Sequence, residues 1–197
     1  MVDRNNFMAK DNKEIEVKTP VSKKLFIRIR KYLERNAKFI KTSIQKDSYY
    51  SPKGKQFLRP KYPYEWLSVR ERNGKVKINY KHWYPEGLSE TTHCDEYETE
   101  ISDIKELKLI LGALKFEKLV SVNKIRLTFE YSDMEIALDE VENLGYFIEI
   151  ESLNNEGGVK KTRRKLLDYA RFLGVKKYIN ISGGYAAELM RRKKLMK

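Results

Sequence analysis

The feature that most constrains this chain is a two-residue alternation that places charged side chains on one face of segment after segment. Glu14 to Lys18 reads EIEVK, with Ile15 and Val17 facing one way and Glu14, Glu16 and Lys18 the other. The same period recurs at Arg70 and Arg72, at Lys77, Asn79 and Lys81, at Glu96, Glu98 and Glu100, at Lys124 and Arg126, and at Glu149 and Glu151. On a single strand this is the ordinary look of a sheet face turned to water. The recurrence, with acidic and basic sets on different strands, points elsewhere. If the sheet closes, those faces converge on one lumen, and an eight-stranded interior has room for side chains or one small ligand.

The punctuation between segments favours short antiparallel connections. Asn73-Gly74 separates Trp66–Arg72 from Lys75–Trp83 and is a strong hairpin signal. Ser51 to Gly54 reads as a turn, and Ser132-Asp133 joins Leu119–Tyr131 to Met134–Asp139. With Ile44–Tyr50, Asp95–Ile101 and Tyr146–Glu151 the chain holds about eight strands. Pro20 is expected to interrupt the first strand. A helix then runs from about Ser22 on the stripe Leu25, Ile29, Tyr32, Leu33 and Asn36. Asp103 and Glu106 resemble a capping box for a second helix striped by Ile104, Leu107, Ile110, Leu111 and Leu114. A basic helix carrying Val159, Leu166, Ala170 and Leu173 follows Gly157-Gly158 and stops at Gly174, and a short helix begins near Gly184. The class is α+β.

Charge narrows the partners. Forty-one Lys and Arg against 28 Asp and Glu give +13, which calls for a polyanion: nucleic acid, an anionic membrane surface or a phosphorylated substrate. No apolar run approaches the roughly 20 residues of a membrane helix, and the N-terminus lacks the apolar core of a signal peptide, so a soluble cytoplasmic protein with no membrane partner is expected. With 197 residues, 41% of them hydrophobic, one domain is expected. Cys94 as the only cysteine rules out an intramolecular disulfide, and His82 and His93 as the only histidines argue against zinc. Carboxylates without histidine are hard oxygen donors suited to Mg²⁺ or Mn²⁺, while Arg and Lys suit phosphate oxygens. A metal between carboxylates and a polyphosphate accounts for both signs.

In these residues the chain resembles the CYTH family, the triphosphate tunnel metalloenzymes that include class IV adenylate cyclases, thiamine triphosphatases and inorganic triphosphatases. The family's opening ExExK is met by Glu14, Glu16 and Lys18, its QxDxYY strand by Gln45, Asp47, Tyr49 and Tyr50, and its LRxR element by Leu67 to Arg70. Lys81 matches the lysine ending the next strand, Glu96 and Glu98 the central acidic pair, and Lys124 with Arg126 the KxR strand. Leu138 to Glu151, LDEVENLGYFIEIE, looks like the closing segment, and its LGYFIEIE is similar to the short class IV adenylate cyclase branch. The likeness spans about residues 12–190, leaving a basic tail at 191–197.

The resemblance implies a closed antiparallel eight-stranded β-barrel with flanking helices, a tunnel that holds ATP or another triphosphate. It implies metal ligands among Glu14, Glu16, Glu96, Glu98, Glu149 and Glu151, phosphate contacts from Lys18, Arg70, Arg72, Lys81, Lys124 and Arg126, and catalytic roles for Lys18 and Asp139. Ser68 stands where the family often has an arginine and Cys94 where a basic residue is common, each removing a phosphate contact; Arg72 shares a face with Arg70 and can compensate. Conversion of ATP to cyclic AMP and pyrophosphate is the first expectation, and hydrolysis of a triphosphate the alternative. A third reading is a non-catalytic polyphosphate or RNA binder, resting on Lys160, Lys161, Arg163, Arg164 and Lys165 and on the tail residues Arg191, Arg192, Lys193, Lys194 and Lys197. Trp66 and Trp83 read as packing groups, His82, His93 and Cys94 as bystanders, and Tyr185 as either packing or tunnel closure. A homodimer is left open.

Overall fold

Two consecutive pieces of chain, separated only by Ile15, form the opposite ends of one antiparallel sheet. The computed structural model describes residues 13–154, 157–179, 181 and 183–196; Lys197 and the N-terminal segment 1–12 lie outside the described residues. The strands are β1 (Lys13–Glu14), β2 (Glu16–Val21), β3 (Lys38–Pro52), β4 (Glu65–Arg72), β5 (Lys75–Tyr84), β6 (His93–Ile101), β7 (Phe116–Tyr131), β8 (Met134–Val141) and β9 (Gly145–Ser152). Their order in the sheet is β1-β6-β5-β4-β3-β7-β8-β9-β2. Glu14 pairs with Cys94 of β6 and Glu16 with Glu151 of β9, while the Ser152 amide donates to the Ile15 carbonyl at 3.1 Å. The first strand, split at Ile15, therefore closes eight strands into a barrel, as expected.

Pro20 is accommodated by the free edge of β2. It does not interrupt the strand: β2 continues through it opposite Phe147 to Val21. Strand β2 is paired only with β9, so a residue without an N–H leaves no ladder on its other side unmade. Asn73 (φ 49°) and Gly74 (φ 79°) both take the left-handed conformation that a two-residue hairpin of this hand requires. Strands β3 and β7 run 15 and 16 residues, longer than the alternation alone indicates, because they pair with each other from Lys38–Glu130 to Pro52–Phe116 through two irregularities.

Helices α1 (Lys23–Asn36) and α3 (Gly158–Phe172) cover the outer face of β2, β7, β8 and β9. Ser22 caps α1 by accepting the Leu25 amide at 3.2 Å. Phe26, Ile29 and Leu33 of α1 and Leu166 and Ala170 of α3 are buried on Ile15, Val17, Phe129, Ile136, Leu138, Ile148 and Ile150. Each fully buried aliphatic side chain there contributes about 1.5–3 kcal/mol. Helix α2 (Ile104–Ala113) is capped as expected, Asp103 Oδ1 accepting the Lys105 and Glu106 amides at 2.7 and 3.1 Å. Its stripe is narrower than the periodicity suggests: Leu107 and Leu111 pack on Tyr50 and Val69, but Ile110 and Leu114 are 54% and 63% exposed. A ten-residue helix lying on a convex sheet touches it along one line only.

Helix α4 (Gly184–Arg192) differs from the others. It buries Tyr185, Ala186, Ala187, Leu189 and Met190 on Trp66, Val120, Val122, Val141 and Phe147. By strand parity those five share a face with Arg70, Lys124, Asp139 and Glu149, the interior of the barrel. The helix thus plugs one end from within. Gly183 makes the entry possible: it sits at φ +77°, and a Cβ there would lie 2.7 Å from Trp66 Cζ2. Among the described residues no helix is long and apolar enough to cross a membrane.

Candidate active site

The barrel interior left open by α4 is a cavity of about 230 Å³, reached by side chains from every strand. Twelve of the thirteen site residues expected from the sequence line it: Glu14 from β1, Glu16 and Lys18 from β2, Arg70 and Arg72 from β4, Lys81 from β5, Glu96 and Glu98 from β6, Lys124 and Arg126 from β7, and Glu149 and Glu151 from β9. Asp139, the thirteenth, is 0% exposed and stands behind the wall.

Asp139 organises one side. Arg126 Nε and Nη2 donate to its two oxygens at 2.7 and 2.6 Å, the Tyr185 hydroxyl donates to Oδ2 at 2.7 Å, and Lys124 Nζ lies 3.7 Å away. Burial works against this carboxylate, yet Arg126 and Lys124 hold it below its ordinary value. Fully buried and absent from the cavity lining, it contacts Arg126, Lys124 and Tyr185 in this arrangement. Arg126 also bridges to Glu149 at 2.8 Å, and Glu149 and Glu16 both bind Lys18 Nζ at 2.8 Å. Burial disfavours charge on Lys18, but Glu149 and Glu16 outweigh it and keep the ammonium charged well beyond the usual lysine range. Lys124 goes the other way. Burial and Arg126 beside it bring it down to about 8, against Asp139 and Asp47.

The opposite wall is a second network. Arg70 Nη1 binds Glu96 at 3.0 Å and Glu98 at 2.8 Å, Lys77 binds Glu98 at 2.7 Å, and Asn79 donates to Glu96. Burial opposes ionisation of Glu96, but Lys81 and Arg70 pull it down to about 2. Arg72 lies 3.6 Å from Asp47. Asp47 is buried and held ionised by Lys124, Arg70 and Arg72 despite that burial, anchoring the wall between β4 and β7. Ser68, in place of an arginine, is buried opposite Tyr49 and Asn79.

Between the two networks lie Glu14, Glu16 and Glu151. Lys81 binds Glu14, and the Cys94 thiol donates to the same carboxylate at 3.1 Å, so the cysteine is a hydrogen-bond partner of a candidate ligand. Burial, with Glu16 and Glu96 nearby, raises Glu14 to about 7 against Lys81. Burial and the adjacent Glu14 and Glu16 raise Glu151 to about 9, and among the described residues it has no ion pair. Among the described residues no three His, Cys, Asp or Glu side chains are arranged, as they stand, to hold a metal ion. The donor set nevertheless fits one in its chemistry: three crowded carboxylates are hard oxygen donors, and the ammonium groups of Lys81 on Glu14 and Lys18 on Glu16 leave Glu151 without a cationic partner among the described residues. Glu96, Glu98 and Glu149, also expected as ligands, bind Arg70, Lys77, Lys18 and Arg126.

Trp66 and Trp83 pack in the cluster beneath α4, as expected, and both also line the cavity; Lys81 Nζ sits 5.6 Å from the Trp83 ring centre. Tyr185 both packs and closes the site, its ring 5.0 Å from Lys18 and from Lys124. Glu135 lines the cavity on β8, and its signal was available in its parity with Asp139. His82 and His93 lie outside the cavity, stacked on either side of Tyr84 at 4.7 and 5.3 Å.

Comparison with known proteins agrees with this geometry. The model of the CYTH domain matches residues 12–185. A protein of Methanocaldococcus jannaschii that carries a provisional adenylate cyclase name is 27% identical over 165 residues, covering 83% of this chain and 91% of that protein. The solved structure of the PH1819 protein from Pyrococcus horikoshii superposes with a TM-score of 0.72 at 29% identity, over 91% of this chain and 99% of that one. A Hippeastrum protein named as an adenylyl cyclase, whose structure is described with a dominant triphosphatase activity, shares the fold at a TM-score of 0.63 and 16% identity, over 92% and 95% of the two chains.

Proposed function

The chain belongs to the CYTH domain family, and from that premise we propose that it is a divalent-metal-dependent enzyme that binds a triphosphate in its barrel and converts ATP to cyclic AMP and pyrophosphate. One observation carries the triphosphate reading: six cationic side chains from four strands, Lys18, Arg70, Arg72, Lys81, Lys124 and Arg126, converge on one cavity of about 230 Å³. A chain of three phosphates is the kind of ligand that answers such a density of positive charge.

In this reading Arg70, Arg72 and Arg126 take phosphate oxygens, each already oriented by a carboxylate partner, so little reorganisation accompanies binding. Lys18, held charged by Glu149 and Glu16, faces the charge that develops on the phosphates. Lys124 Nζ, at about 8, is the cation that exchanges its proton most readily near neutrality. Asp139 positions Arg126 and Lys124. Glu14, Glu16 and Glu151 would hold Mg²⁺ or Mn²⁺, which supplies Lewis-acid polarisation of phosphate oxygens when bound. Tyr185 and α4 keep water out of the plugged end.

Hydrolysis of a triphosphate is the second reading, and the cavity's size favours it. Its volume lies below the roughly 300–1,000 Å³ of sites that enclose a drug-sized ligand, so a phosphate chain fits inside while a nucleoside would project from it. The deciding experiment is a product assay with ATP, GTP, thiamine triphosphate and inorganic triphosphate, with and without Mg²⁺ or Mn²⁺. Metal-dependent cyclic AMP with equimolar pyrophosphate supports the cyclase. Orthophosphate without cyclic nucleotide replaces it with a triphosphatase. Glu14→Ala or Glu16→Ala is expected to abolish metal-dependent turnover in a folded protein; unchanged turnover would refute the site.

A further inference from the structure

The basic residues of α3 have no part in the tunnel, and the structure gathers four of them around a second cavity. This groove of about 760 Å³ lies between α3 and the start of β6, is bordered by Lys160, Arg163, Arg164, Arg171 and His93 over Leu167, and shares no lining residue with the barrel interior. Among the described residues that make ion pairs with the groove cations, Asp168 offsets their charge, binding Arg171 at 2.6 Å and lying 4.0 Å from Arg164. Arg163 is stacked on Tyr178, its guanidinium carbon 5.5 Å from the ring centre. Its Nη1 is buried without a hydrogen-bond acceptor among the described residues.

The groove's rim adds aromatic rings. His93 stacks on Tyr84 at 5.3 Å and 19°, and Tyr84 on His82 at 4.7 Å and 15°, so a ladder of rings leads from the groove along β5. We propose that this groove binds single-stranded nucleic acid, with phosphates on the α3 cations and bases on Leu167 and the His93 end of the ring ladder. A cationic track beside stacking rings is the arrangement by which proteins hold single strands without reading sequence. Inorganic polyphosphate has no apolar part to place on Leu167 or the rings, and a duplex keeps its bases stacked inside.

The experiment is fluorescence anisotropy of the full chain with a labelled twelve-residue oligouridylate bearing a 5′-hydroxyl, so that no triphosphate end can enter the tunnel. Four groove cations less Asp168 leave about three charges, and at about −0.7 per phosphate log K should fall against log salt with a slope of about −2. Lys160→Ala with Arg164→Ala should weaken binding at least about tenfold and reduce the slope to about −0.7. His93→Ala should weaken binding at an unchanged slope. Lys105→Ala with Lys108→Ala, on exposed α2 positions, should leave both alone, as should excess inorganic triphosphate. The groove variants should keep the melting temperature and triphosphate turnover of the parent. Displacement by inorganic triphosphate, equal weakening by the α2 variant, or indifference to the groove variants would overturn the proposal. So would a preference for inorganic polyphosphate or an acidic peptide over the oligonucleotide.

Discussion

Replacing Asp139 by Asn tests whether this residue organises the site from behind its wall. The carboxylate is fully buried, takes two hydrogen bonds from Arg126 and one from Tyr185, and lies 3.7 Å from Lys124. An asparagine is nearly the same size and still accepts a hydrogen bond, so the change removes one negative charge from beside two buried cations. Taking one partner from a buried ion pair costs about 3–5 kcal/mol. Arg126 retains Glu149 at 2.8 Å and Lys124 retains Asp47 at 4.0 Å, which places the loss at the low end, about 3 kcal/mol. For a chain of this length each kcal/mol shifts the melting temperature by about 2–4 °C, so Asp139→Asn should melt about 6–12 °C below the parent. The pH dependence gives a second check. The folded state holds Asp139 below its ordinary value of 3.8, so its contribution is complete above that value and is lost as pH falls through the lower folded pKa. The gap between parent and variant, followed by calorimetry or circular dichroism, should be constant from pH 7 to 5 and narrow only below about 3.8. A variant that melts within 2 °C of the parent at pH 7, or a gap that closes between pH 7 and 5, would refute the assignment.

Tyr185→Phe deletes the 2.7 Å bond to the same carboxylate and should cost about 1.5–3 kcal/mol in urea unfolding, with a non-additive double-mutant cycle against Asp139→Asn. Glu151→Gln relieves a buried carboxylate crowded by Glu14 and Glu16; the metal-free protein should melt at the same temperature or higher, while Mn²⁺ affinity by calorimetric titration falls at least about tenfold. Lys124 in the free protein loses its proton at about 8, so triphosphate affinity should fall by up to about tenfold per pH unit above that value, relative to Lys124→Arg, which stays charged. Parallel affinity profiles for parent and variant between pH 7 and 9 would remove Lys124 from the binding site.

Much of the site was legible in the chain alone because strand parity is a local property. Whatever strand lies beside it, EIEVK puts Glu14, Glu16 and Lys18 on one face, and Arg70, Lys124 and Glu149 obey the same rule, so the lining of the lumen follows once the sheet closes. Asn73-Gly74, the start of α1 near Ser22 and the cap at Asp103 are equally local and fall where they were expected. What parity cannot supply is register between strands distant in sequence. Closure of β1 on β6 and β2 on β9 sets Glu16 opposite Glu151 and Lys18 opposite Glu149. The β7–β8 register places Arg126 in front of Asp139 and so withdraws that carboxylate from the cavity. Helix α4 is the other case: Tyr185, Ala186 and Ala187 look like an ordinary apolar stripe until the barrel offers Trp66, Val122 and Phe147 from inside. The sequence by itself determined which side chains face inward. Only the tertiary structure decided how the carboxylates pair, with Glu14 on Lys81 and Glu16 on Lys18 yet both crowded against Glu151, which has no ion pair among the described residues, because pairing among charges depends on distances that closure alone fixes.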